Sequence, residues 1–212
     1  MKFTGERGRI YLWLSLFVIL FSILTISVAF GITDGVDERV AEGISGEPDG
    51  FLFNLMEYIT RLGSVYFLLP ASLIVIAVFY YLKETLLSIL YAGMMLSLVP
   101  AYRIVKYILG RPRPGIDFIH ETGYSYPSGH TVASFTFFIG LYVFYQIWIQ
   151  KEHNIPMLVV CVLLSSLVGI SRMILGVHYL TDVLGGILLS GILITIFSII
   201  YEKMSKEADE HD

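Results

Sequence analysis

At 212 residues the chain has room for one domain; 56% of it is hydrophobic, only 15% is charged, and the net charge is −4. Soluble domains are about 45–50% apolar and about 25% charged. With a mean hydropathy of +0.74, the composition excludes a soluble globular domain, a disordered chain and a disulfide scaffold, and leaves an integral membrane protein. Nucleic acid is not an expected partner, because no basic cluster stands apart from the motif residues below. The single Cys161 cannot form an intramolecular disulfide.

A membrane-crossing helix needs about 17–25 mostly apolar residues. Charged residues bound six such stretches, which cover 10–32, 62–82, 85–109, 131–150, 155–175 and 183–201 once the third is extended past Arg103 and Lys106 and the fifth past Arg172. The first follows Lys2, Arg7 and Arg9. It exceeds the roughly 7–15 residues of a signal h-region and reads as an uncleaved signal anchor. The third runs to Leu109, where Gly110 and the Arg111-Pro112-Arg113-Pro114 run stop it. All six are continuous rather than alternating, which excludes barrel strands. The expected fold is therefore all-α, a single domain over 1–212 built as a six-helix transmembrane bundle. Between the first two spans, 34–61 reads as an external loop with short interfacial helices. Residues 110–128 read as a structured loop.

Six spans place both termini on one side. That side carries Lys2, Arg7, Arg9, Lys83, Lys151, Lys203 and Lys206, and the other Arg39, Arg61, Arg103, Lys106, Arg111, Arg113 and Arg172. The raw tally is even. Once Lys106, Arg113 and Arg172 are set aside as anion ligands, the N-terminal cluster favours cytoplasmic termini. The expectation is a multi-pass plasma-membrane protein with its site on the extracytoplasmic side.

Ionisable residues at membrane depth are costly and are functional candidates by default. They fall into three clusters: Lys106 to Pro114, Tyr126 to His130, and Ser171 to Asp182. The two loops that carry them are separated by two spans, so they lie on the same face and can converge. Lys106, Arg113 and Arg172 suit a phosphate group, which a planar guanidinium grips through two oxygens. Ser128 adds a hydroxyl, and Gly129 opens a helix whose first amides favour an anion. Together these donors can stabilise a phosphoryl group in transfer. His178 and Asp182, four apart, are expected on one helix face. The carboxylate can then hold one ring nitrogen as N–H and leave the other to attack phosphorus. His130 is the candidate general acid for the leaving alkoxide.

Other polar residues read more simply. Arg103 and Arg111 are expected to be snorkelling interfacial anchors. His120 and Glu121 are read as loop residues or substrate contacts, and His153 as solvated. Gly185, Gly186 and Gly191 suit close helix packing. No third ligand with metal spacing accompanies the His178–Asp182 pair, so neither a metal nor another cofactor is expected.

The three clusters together resemble the signature of the type 2 phosphatidic acid phosphatase superfamily, K-x₆-R-P, P-S-G-H and S-R-x₅-H-x₃-D. Here Lys106 with Arg113-Pro114, Pro127-Ser128-Gly129-His130, and Ser171-Arg172 with His178 and Asp182 fill every position. The resemblance implies a metal-independent phosphatase related to vanadium haloperoxidases and glucose-6-phosphatase, with His178 as nucleophile and His130 as acid/base. The tyrosine-rich run before the PSGH motif and the DVLGG run that closes the last motif resemble small bacterial members of the phosphatidylglycerophosphate phosphatase B group. Some of these also dephosphorylate undecaprenyl pyrophosphate.

The expected partners are membrane lipids and a lipid phosphate substrate: phosphatidylglycerophosphate, phosphatidic acid or undecaprenyl pyrophosphate. The alternatives are a lipid phosphotransferase using the same phosphohistidine, or a non-catalytic lipid-phosphate binder or transporter on the same scaffold.

Overall fold

A computed structural model describes residues 7–44, 50–115, 121–150 and 154–209. Lys2, His120, Lys151 and His153 lie outside these residues. Every regular element among the described residues is helical. They are α1 (Arg7–Ala29), α2 (Asp34–Ile44), α3 (Phe51–Thr60), α4 (Val65–Tyr81), α5 (Thr85–Leu109), α6 (Gly129–Ile149), α7 (Ile155–Ile174) and α8 (Leu180–Asp209), with a 3₁₀ turn at Arg61–Gly63.

Five helices, α1 and α5 to α8, are long and apolar enough to cross a membrane. The second expected span departs from a simple rod. Its helix α4 has 17 residues and joins α3 across the 3₁₀ turn with a bend of 40°; taken as one broken span, the pair brings the number to six. The expected start at residue 62 is thus displaced to Val65. The preceding turn reaches its bend at Gly63, where an added β-carbon would lie 2.6 Å from a Val168 methyl carbon and 3.1 Å from the His130 carbonyl. Close approach to α6 and α7, rather than hydropathy, fixes that point.

The other ends have local causes. α1 stops at Ala29, before the expected residue 32, because Gly31 turns the chain with φ +69°. α5 ends at Leu109, where Gly110 takes the left-handed conformation. α8 continues eight residues past the expected end, and Lys206 pairs there with Glu202 one turn away. The external segment holds the two short helices α2 and α3, as expected.

Packing centres on α6 and α8, which meet each other and are flanked by α5, α7 and α1. Tyr91, Met94, Leu87 and Phe144 are fully enclosed, with the Tyr91 and Phe144 rings edge to face at 5.4 Å. Outward-facing Leu12, Trp13, Ile19 and Ile23 on α1, and Tyr66, Leu73 and Ile74 on α4, form apolar surface suited to lipid. The three expected close-packing glycines lie at helix contacts. An added β-carbon would lie 2.6 Å from the Tyr126 ring at Gly185, 2.9 Å from Thr131 Cβ at Gly186, and 2.8 Å from the Phe17 ring at Gly191.

Candidate active site

The C-terminal ends of α5 and α7 and the N-terminal ends of α6 and α8 meet at one end of the bundle, and α2 packs against them. Two helix-terminus motifs account for much of the geometry. α7 closes with a Schellman turn: Val177 N–H donates to the Arg172 carbonyl at 3.2 Å and Gly176 N–H to the Met173 carbonyl at 2.9 Å. Gly176 supplies the left-handed residue, φ +69°. The turn folds His178 back over Arg172, and the His178 N–H shares the same carbonyl at 3.3 Å. This explains the spacing of five between the arginine and the histidine.

α8 then opens with a side-chain cap from its own first turn. Asp182, in its first turn, accepts the Tyr179 N–H at 2.9 Å and lies 3.2 Å from His178 Nδ1. A carboxylate three residues into a helix reaches back in this way to satisfy a free N–H. The expectation that His178 and Asp182 share a helix face is therefore corrected. His178 lies in the turn before α8, and their pairing is a product of capping.

Both faces of the imidazole are engaged. Nε2 is 3.4 Å from an Arg113 terminal nitrogen. A guanidinium has only donors, so Nε2 is the acceptor and Nδ1 carries the proton that faces Asp182. Ser125 Oγ lies 3.3 Å from Nδ1 and donates a hydrogen bond to Asp182 Oδ2. Burial is the dominant influence on His178 and pushes it down to about 4, against the upward pull of Asp182. The ring is thus neutral at pH 7.

Three cations converge beside this pair. Lys106 donates to the Tyr124 and Ser125 carbonyls. Arg113 donates to the carbonyls of Gly123 at 3.0 Å and Val177 at 2.9 Å. Arg172, only 2% exposed, donates to Thr60 Oγ1 at 3.0 Å and pairs with Glu121. Its Nε, although buried, has no hydrogen-bond partner among the described residues, which leaves a donor facing a charged cluster. Glu121 also faces Arg113 at 3.5 Å. Burial opposes its charge, yet Arg172 and Arg113 hold its carboxyl below the usual range. His130, at the start of α6, has Arg172, Glu121, His178 and Arg113 as its electrostatic neighbours.

Ser128 is fully buried and caps α6, accepting from Thr131 N–H at 3.4 Å and Thr131 Oγ1 at 2.9 Å. Its own N–H donates to the Asp182 carbonyl at 3.0 Å, tying the starts of α6 and α8 together. Gly129 follows as the first helical residue.

Arg103 is exposed, in keeping with an interfacial anchor. Arg111 is not an anchor. It is 9% exposed and pairs with Asp182 at 2.8 Å and Asp37 at 2.7 Å. Asp37, Ser125 and Thr60 also belong to this neighbourhood and carry no sequence signal of their own. They come from segments far away in the chain or from an unremarkable loop. Arg111 had one, its place in the RPRP run, but no visible partner. Among the described residues, no group of three or more metal-ligating side chains converges.

The chain is similar to known proteins in sequence and in fold. A family model described as the PAP2 superfamily matches residues 82–206. Phosphatidylglycerophosphatase B of Bacillus subtilis is 30% identical over 200 residues, covering 91% of this chain and 96% of the relative. Phosphatidylglycerophosphatase B of Haemophilus influenzae is 38% identical over 90 residues, covering 42% of this chain and 36% of the relative. A crystal structure of a transmembrane PAP2-type phosphatidylglycerolphosphate phosphatase from Bacillus subtilis superposes with a TM-score of 0.81 at 27% identity, covering 90% of this chain and 96% of that one. LpxE of Aquifex aeolicus shares the fold, with a TM-score of 0.60 at 24% identity over 78% of this chain and 96% of that one. With these signature residues gathered at one end of a membrane-spanning helical bundle, the chain belongs to the PAP2 superfamily, among its membrane phosphatases of the phosphatidylglycerophosphatase B kind.

Proposed function

We propose that this phosphatase hydrolyses the terminal phosphate of phosphatidylglycerophosphate in the membrane through a phosphohistidine. The observation that carries the mechanism is the placement of the His178 ring, with Nδ1 3.2 Å from Asp182 and Nε2 3.4 Å from Arg113. The name and coverage of the Bacillus relative support the substrate.

In the first step the His178 Nε2 lone pair attacks phosphorus, forming a P–N bond while the P–O ester bond breaks. His130 gives its proton to the departing alkoxide. In the second, His130 takes a proton from water as the water oxygen attacks phosphorus and the P–N bond breaks, returning the electron pair to Nε2. Lys106, Arg113 and Arg172 neutralise the phosphoryl oxygens in both steps, with the first amides of α6 at Gly129. Ser128 serves that position chiefly by capping the helix.

The chain works as one domain. Phe17 on α1 packs against Gly191 on α8, and Thr25 hydrogen-bonds Tyr126 beside the PSGH motif at 2.9 Å. The site end faces the extracytoplasmic side, in line with the basic N-terminal cluster on the opposite side.

The test is phosphate release by detergent-purified protein. The substrates are phosphatidylglycerophosphate, phosphatidic acid, undecaprenyl pyrophosphate and a soluble phosphomonoester, each with EDTA and with His178→Ala. EDTA-resistant, His178-dependent release, fastest from phosphatidylglycerophosphate, is expected. A faster pyrophosphate reaction would overturn the substrate, and an active His178→Ala the mechanism.

A further inference from the structure

We infer that Arg111, held from α2 by Asp37, is a positioning residue for the reaction, because it fixes the Asp182 carboxylate that orients His178. The inference rests on His178 being the nucleophile. The two oxygens of Asp182 divide their work. Oδ2 serves Ser125, the Tyr179 N–H and His178; Oδ1, which His178 does not use, accepts from Arg111 at 2.8 Å.

Arg111 is itself fixed on every side. The nitrogen that meets Asp182 also donates to Thr181 Oγ1 at 2.8 Å, and its other terminal nitrogen donates to Asp37 Oδ2 at 2.7 Å. The Tyr179 ring covers its face, with the centroid 4.3 Å away. Its backbone takes part as well: the Arg111 carbonyl accepts the N–H of Ser125, whose hydroxyl grips Asp182, at 2.8 Å. Asp37 is fully buried, 0% exposed. It completes the frame by accepting Thr181 N–H at 3.1 Å and Thr181 Oγ1 at 2.6 Å.

A buried aspartate is costly without a partner. Here Asp37 secures a helix terminus and a guanidinium together. Helix α2 lies outside the 82–206 stretch matched by the family model, so a segment beyond the signature helps to set the catalytic geometry.

The charges predict two opposite effects. Arg111 weakens the field of Asp182 at His178, and Asp37 weakens that of Arg111. The other charged or titratable groups around His178 are Lys106 on α5, Arg113 and Glu121 on the loop, His130 on α6, Arg172 on α7, and Tyr179 beside Arg111. Asp34 acts through Arg111 at 3.7 Å. None of them changes in the two variants.

The experiment measures the pH dependence of phosphatidylglycerophosphate hydrolysis in detergent micelles for wild type, Arg111→Gln, Arg111→Lys, Asp37→Asn and His178→Ala. Arg111→Gln is expected to lower kcat about tenfold to a hundredfold with KM within about twofold, and to move the acid limb up by about one pH unit. Asp37→Asn moves that limb down, and Arg111→Lys restores part of kcat. If Arg111→Gln does not fold, Asp37→Asn and Arg111→Lys carry the same test. Raised KM with normal kcat, or an unmoved acid limb in folded variants, overturns the positioning role while His178→Ala stays inactive. An active His178→Ala overturns the mechanism beneath it.

Discussion

Asp182 accepts the backbone N–H of Tyr179 at 2.9 Å with the same oxygen that lies 3.2 Å from His178 Nδ1. The carboxylate that starts α8 thus also selects the imidazole tautomer. Asp182→Asn keeps the shape but offers an amide where an acceptor is needed. We expect kcat to fall by about 10²–10⁴, the range for losing a general-base partner or the correct tautomer. Steady-state kinetics on phosphatidylglycerophosphate would check it, and more than half of wild-type kcat in a folded variant would contradict it.

Glu121 binds Arg172 and faces Arg113, two of the three cations proposed for the phosphoryl oxygens. An incoming phosphate dianion must displace that carboxylate or share the cations with it. Glu121→Gln removes the competing charge, and the inhibition constant for inorganic phosphate should fall about five- to tenfold, about 1–1.4 kcal/mol on the scale of a charge-assisted hydrogen bond. An unchanged or higher constant would show that Glu121 aids anion binding instead.

The pH profile has a definite sign. Burial lowers His178 to about 4, so its neutral, nucleophilic form prevails at pH 7 and is lost only as pH falls through that value. The acid limb of kcat/KM should therefore lie below pH 5.5. An acid limb near the ordinary histidine value of about 6.5 would contradict this reading.

Helix packing gives a test independent of activity. A β-carbon at Gly186 would lie 2.9 Å from Thr131 Cβ and 3.1 Å from the Ser128 carbonyl. Gly186→Ala should cost about 1–3 kcal/mol through overpacking. Gly35→Ala on α2, where nothing lies within 4 Å, should be neutral or gain about 0.5–1 kcal/mol from helix propensity. Thermal unfolding in detergent separates the two. Equal midpoints would count against the close α6–α8 contact.

Topology can be read with one cysteine. Cys161 is buried, whereas Glu38 on α2 is exposed at the site end. In a Cys161→Ser background, Glu38→Cys should react with a membrane-impermeant maleimide in intact cells. Labelling only after lysis would put the site on the cytoplasmic side.

The sequence by itself determined the membrane class, the positions of the apolar helices and the three clusters of the site. Apolar runs bounded by charge reflect the lipid solvent directly, and Gly110 fixed the end of α5 because backbone chirality is local. The spacing from Arg172 to His178 and on to Asp182 was legible too, although the reason for it was not, since a Schellman turn and a capping carboxylate produce it rather than one continuous helix. Tertiary structure decided what lies across the chain. In the sequence Arg111 reads as an interfacial anchor because its partner Asp37 is 74 residues away, and only folding brings α2 onto the start of α8. The bend between α3 and α4 was hidden for the same reason: hydropathy records how apolar a segment is, while the contact of Gly63 with His130 and Val168 records which surfaces meet.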